Sequence, residues 1–247
     1  MKAIAGPLVL AMLAACCCTI ARAGAPFQTD DPEPVDLHHT EVNLALQQTR
    51  TNAGPSGTMA ADVNHGCAAE TQCHFLVPLA FNGSSGSGWQ SGIGDIEVGV
   101  KYRFFHRPDD GVMAAIYPTV FLPTGNASRG LGNGRAQLLL PLWLQKSSGA
   151  WTWDAGAGYL VNRAAGARNS WYLGLLGQRS FGDRLKLGGE VFHRTALAQD
   201  AAPTTGFNLG ATVKLTESRN LLLAVGRGLQ GVAANRFSLY AAYQLEL

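Results

Sequence analysis

Along most of this chain, apolar and polar side chains exchange places at every second residue. In the clearest stretch Ile96, Val98, Val100, Tyr102 and Phe104 form one row, and Asp95, Glu97, Lys101 and Arg103 form the other. A period of two over this length is a β-strand, because a helix would repeat its apolar positions every three to four residues. Trp151, Trp153, Ala155, Ala157 and Tyr159 alternate in the same way with Thr152, Asp154, Gly156 and Gly158. Leu185, Leu187 and Val191 oppose Lys186, Gly188, Glu190 and Arg194, and Phe207 to Leu215 interleave with Asn208, Thr212 and Lys214. The segments 112–122 and 137–145 are apolar on both rows, and periodicity does not orient them.

Turn residues divide these runs into about twelve strands, near 38–50, 58–66, 72–82, 93–105, 112–123, 135–146, 150–162, 169–180, 184–195, 205–216, 220–227 and 236–247. No helical pattern of useful length intervenes. Several runs exceed the usual five or six residues and approach the 9 to 11 that cross a bilayer when tilted. The connections alternate in character. Those at 106–111, 147–149, 181–183 and 217–219 are short. Those at 83–92, 125–134, 164–168, 196–204 and 228–235 are longer and rich in Gly, Ser, Asn and Ala. Short turns at one end and longer loops at the other suit an outer-membrane barrel with the short set in the periplasm, and a soluble sandwich explains neither feature. Tyr102, Phe104, Trp151, Trp153, Trp171 and Tyr243 fall near run ends, where aromatic girdles belong. The expected fold is all-β, a closed antiparallel transmembrane β-barrel spanning 38–247.

Composition agrees. Of 247 residues, 47% are hydrophobic and 15% charged, well under the charged share of about 25% in soluble domains. Mean hydropathy is only +0.04, as expected where alternation conceals the apolar surface. Residues 1–23 read as a secretory leader, with Lys2 as its positive start, an uncharged run from Leu8 to Ala21, and Ala21-Arg22-Ala23 as the cleavage site. Leu13-Ala14-Ala15-Cys16 also has the form of a lipobox, which would place processing at Cys16. Removal of Lys2 and Arg22 leaves 17 basic residues against 17 acidic, so any field is local and nucleic acid is not an expected partner. Residues 24–37 read as an extended periplasmic lead-in that packs at the barrel mouth and partly plugs it. Its Thr29-Asp30-Asp31-Pro32-Glu33-Pro34 lacks the form of a calcium loop.

Cys67 and Cys73 remain after the leader, and an even pair in an exported chain reads as a disulfide that closes a hairpin end. His65 and His74 flank them and could face each other, but a metal site needs three or four converging ligands, so no metal or cofactor is expected. No His-x-Ser pair and no strand–turn–helix nucleophile elbow is present, and an enzyme is not expected.

The stretch Ala25-Pro26-Phe27-Gln28-Thr29-Asp30-Asp31-Pro32, then His39-x-Glu41, Val77-Pro78-Leu79-Ala80-Phe81-Asn82, Gly92 to Phe104 and Leu122-Pro123-Thr124-Gly125 resemble the outer-membrane transporter family named for the meta-pathway of phenol degradation. The resemblance is densest over 26–125, and beyond that it rests on β pattern alone. It implies an outer-membrane barrel that passes small, often aromatic, molecules. The Cys67–Cys73 hairpin departs from the family pattern.

Mid-strand charges must face the lumen, since a charge facing lipid costs about 2 to 4 kcal/mol at the midplane. Glu41, Asp95, Glu97, Lys101, Arg103, Asp154, Lys186, Glu190, Arg194 and Lys214 are therefore the candidate lumen and selectivity residues. They would act either as a transverse field that filters solutes or as a salt-bridge network that fills a narrow interior. The functional expectation is a monomeric channel in outer-membrane lipid for passive uptake of small hydrophobic or aromatic solutes, gated by the loops 83–92 and 125–134. The alternative is a non-conducting structural or adhesive barrel.

Overall fold

The computed structural model describes residues 25–84 and 88–247. The leader at 1–23, with its cleavage and lipobox readings, and Gly24 lie outside the described residues.

The strand segments are β1 (Thr40–Arg50), β2 (Pro55–Ala68), β3 (Thr71–Ser84), β4 (Gly88–Ile93), β5 (Ile96–Arg107), β6 (Val112–Ile116), β7 (Thr119–Leu122), β8 (Gln137–Ser148), β9 (Trp151–Asn162), β10 (Ser170–Phe181), β11 (Leu185–Arg194), β12 (Thr204–Thr216), β13 (Arg219–Gln230) and β14 (Phe237–Glu246). All pairings between them are antiparallel, and β1 meets β14 in register from Glu41–Glu246 to Arg50–Phe237, which closes the sheet. The ring has twelve staves, the number that the alternating runs predict, because two staves are each made of two segments. Leu79 faces Ile93 of β4, whereas Leu76 faces Glu97 of β5, so β4 and β5 are one stave with a one-residue bulge at Gly94-Asp95. β6 and β7 keep a single register on β8 and part at Tyr117-Pro118, where proline has no N–H for the ladder.

Two sequence expectations change here. The stave predicted at 93–105 begins at Gly88, because β3 and β4 pair out to Ser84–Gly88. The proposed gating loop at 83–92 is therefore mostly strand. The run 112–123 is interrupted rather than continuous.

The short turns gather at one end with Thr40 and Leu247, and the longer loops gather at the other. They are called the turn end and the loop end below. Gly149 and Gly182 take φ of 58° and 65° in two short turns, a left-handed conformation that costs glycine little.

The outer wall carries the apolar rows. Leu144, Leu173, Leu175, Val191 and Leu209 are between 47% and 58% exposed, a surface that only lipid would cover. Trp151, Trp153 and Phe181 ring the turn end, and Trp89, Trp171 and Phe237 the loop end. The structure also orients the two unassigned runs. Tyr117, Phe121 and Trp143 point inward, while Ile116, Val120, Leu142 and Leu144 point out.

Candidate functional site

The lumen has two unlike walls. On one side Tyr117, Trp143, Tyr172 and Phe192 form a buried aromatic cluster, with the Trp143 and Tyr172 rings 6.1 Å apart and edge-on. Gly156 lies under the Trp143 ring and leaves the indole the room that any side chain there would take.

On the other side β1, β2 and β3 supply a polar ladder. Asn43 Nδ2 donates to Glu41 Oε1 (2.8 Å) and Asp62 Oδ2 (3.4 Å), and Asn64 Nδ2 donates to Asp62 Oδ1 (3.2 Å). Gln72 Nε2 donates to Asn64 Oδ1 (2.7 Å). His74 Nδ1 is 3.0 Å from the same Asn64 oxygen and 3.1 Å from Asp62 Oδ1, two acceptors that assign the proton to that nitrogen. Its Nε2 lies 4.0 Å from Glu97 Oε2. Tyr117 joins the walls, with His74 edge-on at 5.6 Å and the Lys101 ammonium 5.3 Å over its ring.

The lead-in enters the space between these walls. Gln28 and Thr29 donate their backbone N–H groups to the two oxygens of Glu190, both at 2.8 Å, and Asn208 Nδ2 donates to the same carboxylate. Thr29 Oγ1 is 3.3 Å from the Tyr172 hydroxyl. Lys101 Nζ donates to Asp30 Oδ1 (3.1 Å) and lies 3.6 Å from Asp31. Phe27, Thr29 and Asp30 are buried. The wall is built to admit them, since a Cβ on Gly188 or Gly210 would come within 2.7 or 2.8 Å of the Phe27 ring. The lead-in leaves the lumen along β2 and β3. Val35 N–H donates to Gln72 Oε1 (3.0 Å), Leu37 bridges to Gly66, and His38 N–H donates to Gly66 O (2.8 Å).

Cys67 and Cys73 are joined as a disulfide with Cα atoms 5.9 Å apart. They directly follow Gly66 and Gln72, the two residues that hold the outgoing lead-in. His65 and His74 do not face each other. His65 lies 2.9 Å from the Thr40 hydroxyl, and His74 turns into the lumen. Among the described residues no group of three or more His, Cys, Asp or Glu is placed to hold a metal ion.

At the loop end, residues 123–136 fold inward. Asp95, half-buried at the β4–β5 bulge, accepts the N–H groups of Gly125 (2.9 Å) and Asn133 (2.7 Å). Thr124 Oγ1 donates to Gly94 O (2.7 Å), and Leu131 is buried. A pocket of about 800 Å³, open to the loop end, is lined by Thr58, Pro78, Glu97, Phe121, Leu131 and Gln137 among others. A second, of about 620 Å³ at the turn end, is lined by Asp31, Glu33, Glu41, Asn43, Asn64 and Lys101 among others. Asp62, His74 and Leu76 lie between them along β2 and β3.

The ten sequence-predicted lumen residues thus fall into distinct settings. Glu97, Lys101, Asp154 and Glu190 are buried in the interior, Glu41 is half-buried beside the turn-end pocket, and Asp154 accepts from Gln178 Nε2 at 3.1 Å. Arg194 places its guanidinium 5.6 Å over Tyr172, and Lys186 is half-buried. Asp95 is bound up with the inward loop. Arg103 and Lys214 sit at the turn-end rim, paired with Glu70 and Glu217. The Arg103 hydrogen bond holds the Glu70 carboxyl below its ordinary range. Sequence reasoning missed Asp62, Asn64, His74 and Tyr117. His74 was detectable, because it falls on the row opposite Phe75, Val77 and Leu79.

The architecture of a closed barrel with polar interior and inward loop has known counterparts. A family model described as "Putative MetA-pathway of phenol degradation" matches residues 48–246. The chain belongs to this family. The match extends well past 26–125, where the sequence resemblance is densest, and leaves the lead-in outside. An outer membrane channel from Pseudomonas putida F1 is 20% identical, with 88% of this chain and 98% of that chain covered and a TM-score of 0.75. The KdgM porin is 10% identical over 83% of this chain and 97% of its own, at a TM-score of 0.58. The NanC porin is 8% identical over 84% and 97%, at 0.55. No curated protein matches the chain. At these identities the structural likenesses establish the fold, which is that of outer-membrane channels and porins.

Proposed function

We propose that the protein is an outer-membrane channel for passive uptake of small hydrophobic or aromatic solutes. The observation that carries this reading is the lumen itself, where the aromatic face of Tyr117, Trp143, Tyr172 and Phe192 opposes a hydrogen-bonding ladder. A flat aromatic solute can stack on the first wall and exchange water for ladder groups on the second, so desolvation is compensated along the path. The turn end faces the periplasm of a Gram-negative cell, the segment 1–23 directs export, and the barrel works as a monomer in lipid. The docked lead-in and inward loop divide the lumen into two pockets, and solute passage requires one or both to give way.

That same occupancy favours a second reading, a non-conducting barrel whose loops bind an outside partner. Planar-bilayer recordings of the refolded protein, with phenol and benzoate as added solutes, separate the two. Discrete current steps that phenol interrupts support the channel. A folded barrel that stays silent, even when the lead-in is released by Glu190→Ala, overturns it.

A further inference from the structure

The charges buried inside the barrel do not balance. Among the described residues, the buried charged side chains are the carboxylates of Asp30, Asp62, Glu97, Asp154 and Glu190 and the single ammonium of Lys101. With His74 counted as charged, the acids still lead five to two. The half-buried charges offset this by only one, because Asp31, Glu41 and Asp95 stand against Lys186 and Arg194 in the wall and Arg103 and Lys214 at the rim. Unpartnered acceptor atoms lie among these charges. Asp154 is fully buried, it lies on the inward row of β9, and its Oδ1 has no hydrogen-bond partner. Asp30 Oδ2 and Asn43 Oδ1, likewise buried, also lack one. All three are acceptors that lie among the buried charges, whereas the unpartnered Trp143 Nε1 and Tyr117 hydroxyl belong to the aromatic wall. An unmatched acceptor away from water costs about 1–3 kcal/mol, and a passing group that donates to it recovers part of that.

We infer that the lumen selects by charge, admitting cationic aromatic solutes, such as aromatic amines, and excluding aromatic carboxylates. This rests on the channel reading above and narrows its substrate class. Rings of carboxylates act as cation filters where water is scarce. The asymmetry survives movement of the lead-in. When Asp30 leaves with it, Asp62, Glu97 and Asp154 still outnumber Lys101. An anionic benzoate would meet those three carboxylates between the two walls, whereas an ammonium would meet counter-charges.

The test is the reversal potential of the intact protein in a planar bilayer under a tenfold KCl gradient, repeated with benzylammonium chloride and with potassium benzoate. Glu190→Ala supplies a conducting form where the intact chain stays closed. The expected result is a cation-selective potential, with benzylammonium permeating at least about fivefold better than benzoate, as charge rings impose in narrow pores. Asp154→Asn and Glu97→Gln, which preserve side-chain shape, should each lower that ratio. Conductance with no selectivity, or with preference for benzoate, overturns the inference and leaves the channel reading standing. Absence of conductance in both forms overturns the channel reading and this inference with it.

Discussion

Glu190 is the single wall residue on which docking of the lead-in most depends, and Glu190→Ala tests how the lumen is closed. The substitution removes both acceptors that hold the backbone N–H groups of Gln28 and Thr29. Hydrogen bonds to a charged group contribute about 1.5–3 kcal/mol each, so docking should weaken by about 3 to 6 kcal/mol. At 1.4 kcal/mol per tenfold, the undocked fraction should rise by about two to four orders of magnitude. Phe27 and the Asp30–Lys101 pair still favour docking, so the change appears as more frequent opening rather than loss of the barrel. Thr29→Cys provides the readout. Its side chain is fully buried when docked, and Cys67 and Cys73 are tied to each other, so thiol-reagent labelling of position 29 follows the undocked fraction. Labelling should accelerate in Glu190→Ala, with Glu190→Gln between the two because it keeps one acceptor oxygen. Labelling within about threefold of the parent, under 1 kcal/mol, would refute the idea that Glu190 latches the lead-in.

Three further outcomes are expected. Asp95→Ala should free the loop at 123–136, speeding tryptic cleavage at Arg129 and Arg135 by about tenfold or more while leaving the barrel intact, since two backbone N–H groups lose their acceptor. Replacing both Cys67 and Cys73 by Ser should lower the barrel's unfolding free energy in denaturant titration by about 2 kcal/mol, the loop-closure entropy of so short a ring, and should raise labelling at position 29 because Gly66 and Gln72 grip the lead-in less firmly. Glu70, whose carboxyl Arg103 holds below its unfolded value of 4.5, stabilises the turn end at pH above that value, and this contribution disappears as pH falls through the lower folded value. Glu70→Gln should therefore slightly lower stability at neutral pH and flatten the acid limb of a stability-versus-pH curve below about pH 4.5 by the same small amount, because the Glu70 carboxylate is largely exposed.

Period-two alternation placed Ile96 to Phe104 and Trp151 to Tyr159 on the correct faces, because each outward residue answers to lipid locally and each stave pairs with its sequence neighbours. The same rule put Glu97, Lys101, Asp154 and Glu190 inside. It gave no hint that β4 continues β5 through a bulge, because Gly94-Asp95 reads as an ordinary turn until both flanking segments are seen to pair with β3. It also assigned the charges of Arg103 and Lys214 to the interior, although both side chains reach partners at the rim.

Membrane immersion and alternation alone thus determined the barrel, its twelve staves and the separation of apolar outside from charged inside. What fills the barrel was decided only in three dimensions. Thr29 meets Glu190 across 161 residues of chain and Lys101 meets Asp30 across 71, contacts that no local period encodes. They exist because a closed ring brings distant strands around one narrow space, and buried carboxylates in that space draw in the nearest available donors, here the amides of the lead-in.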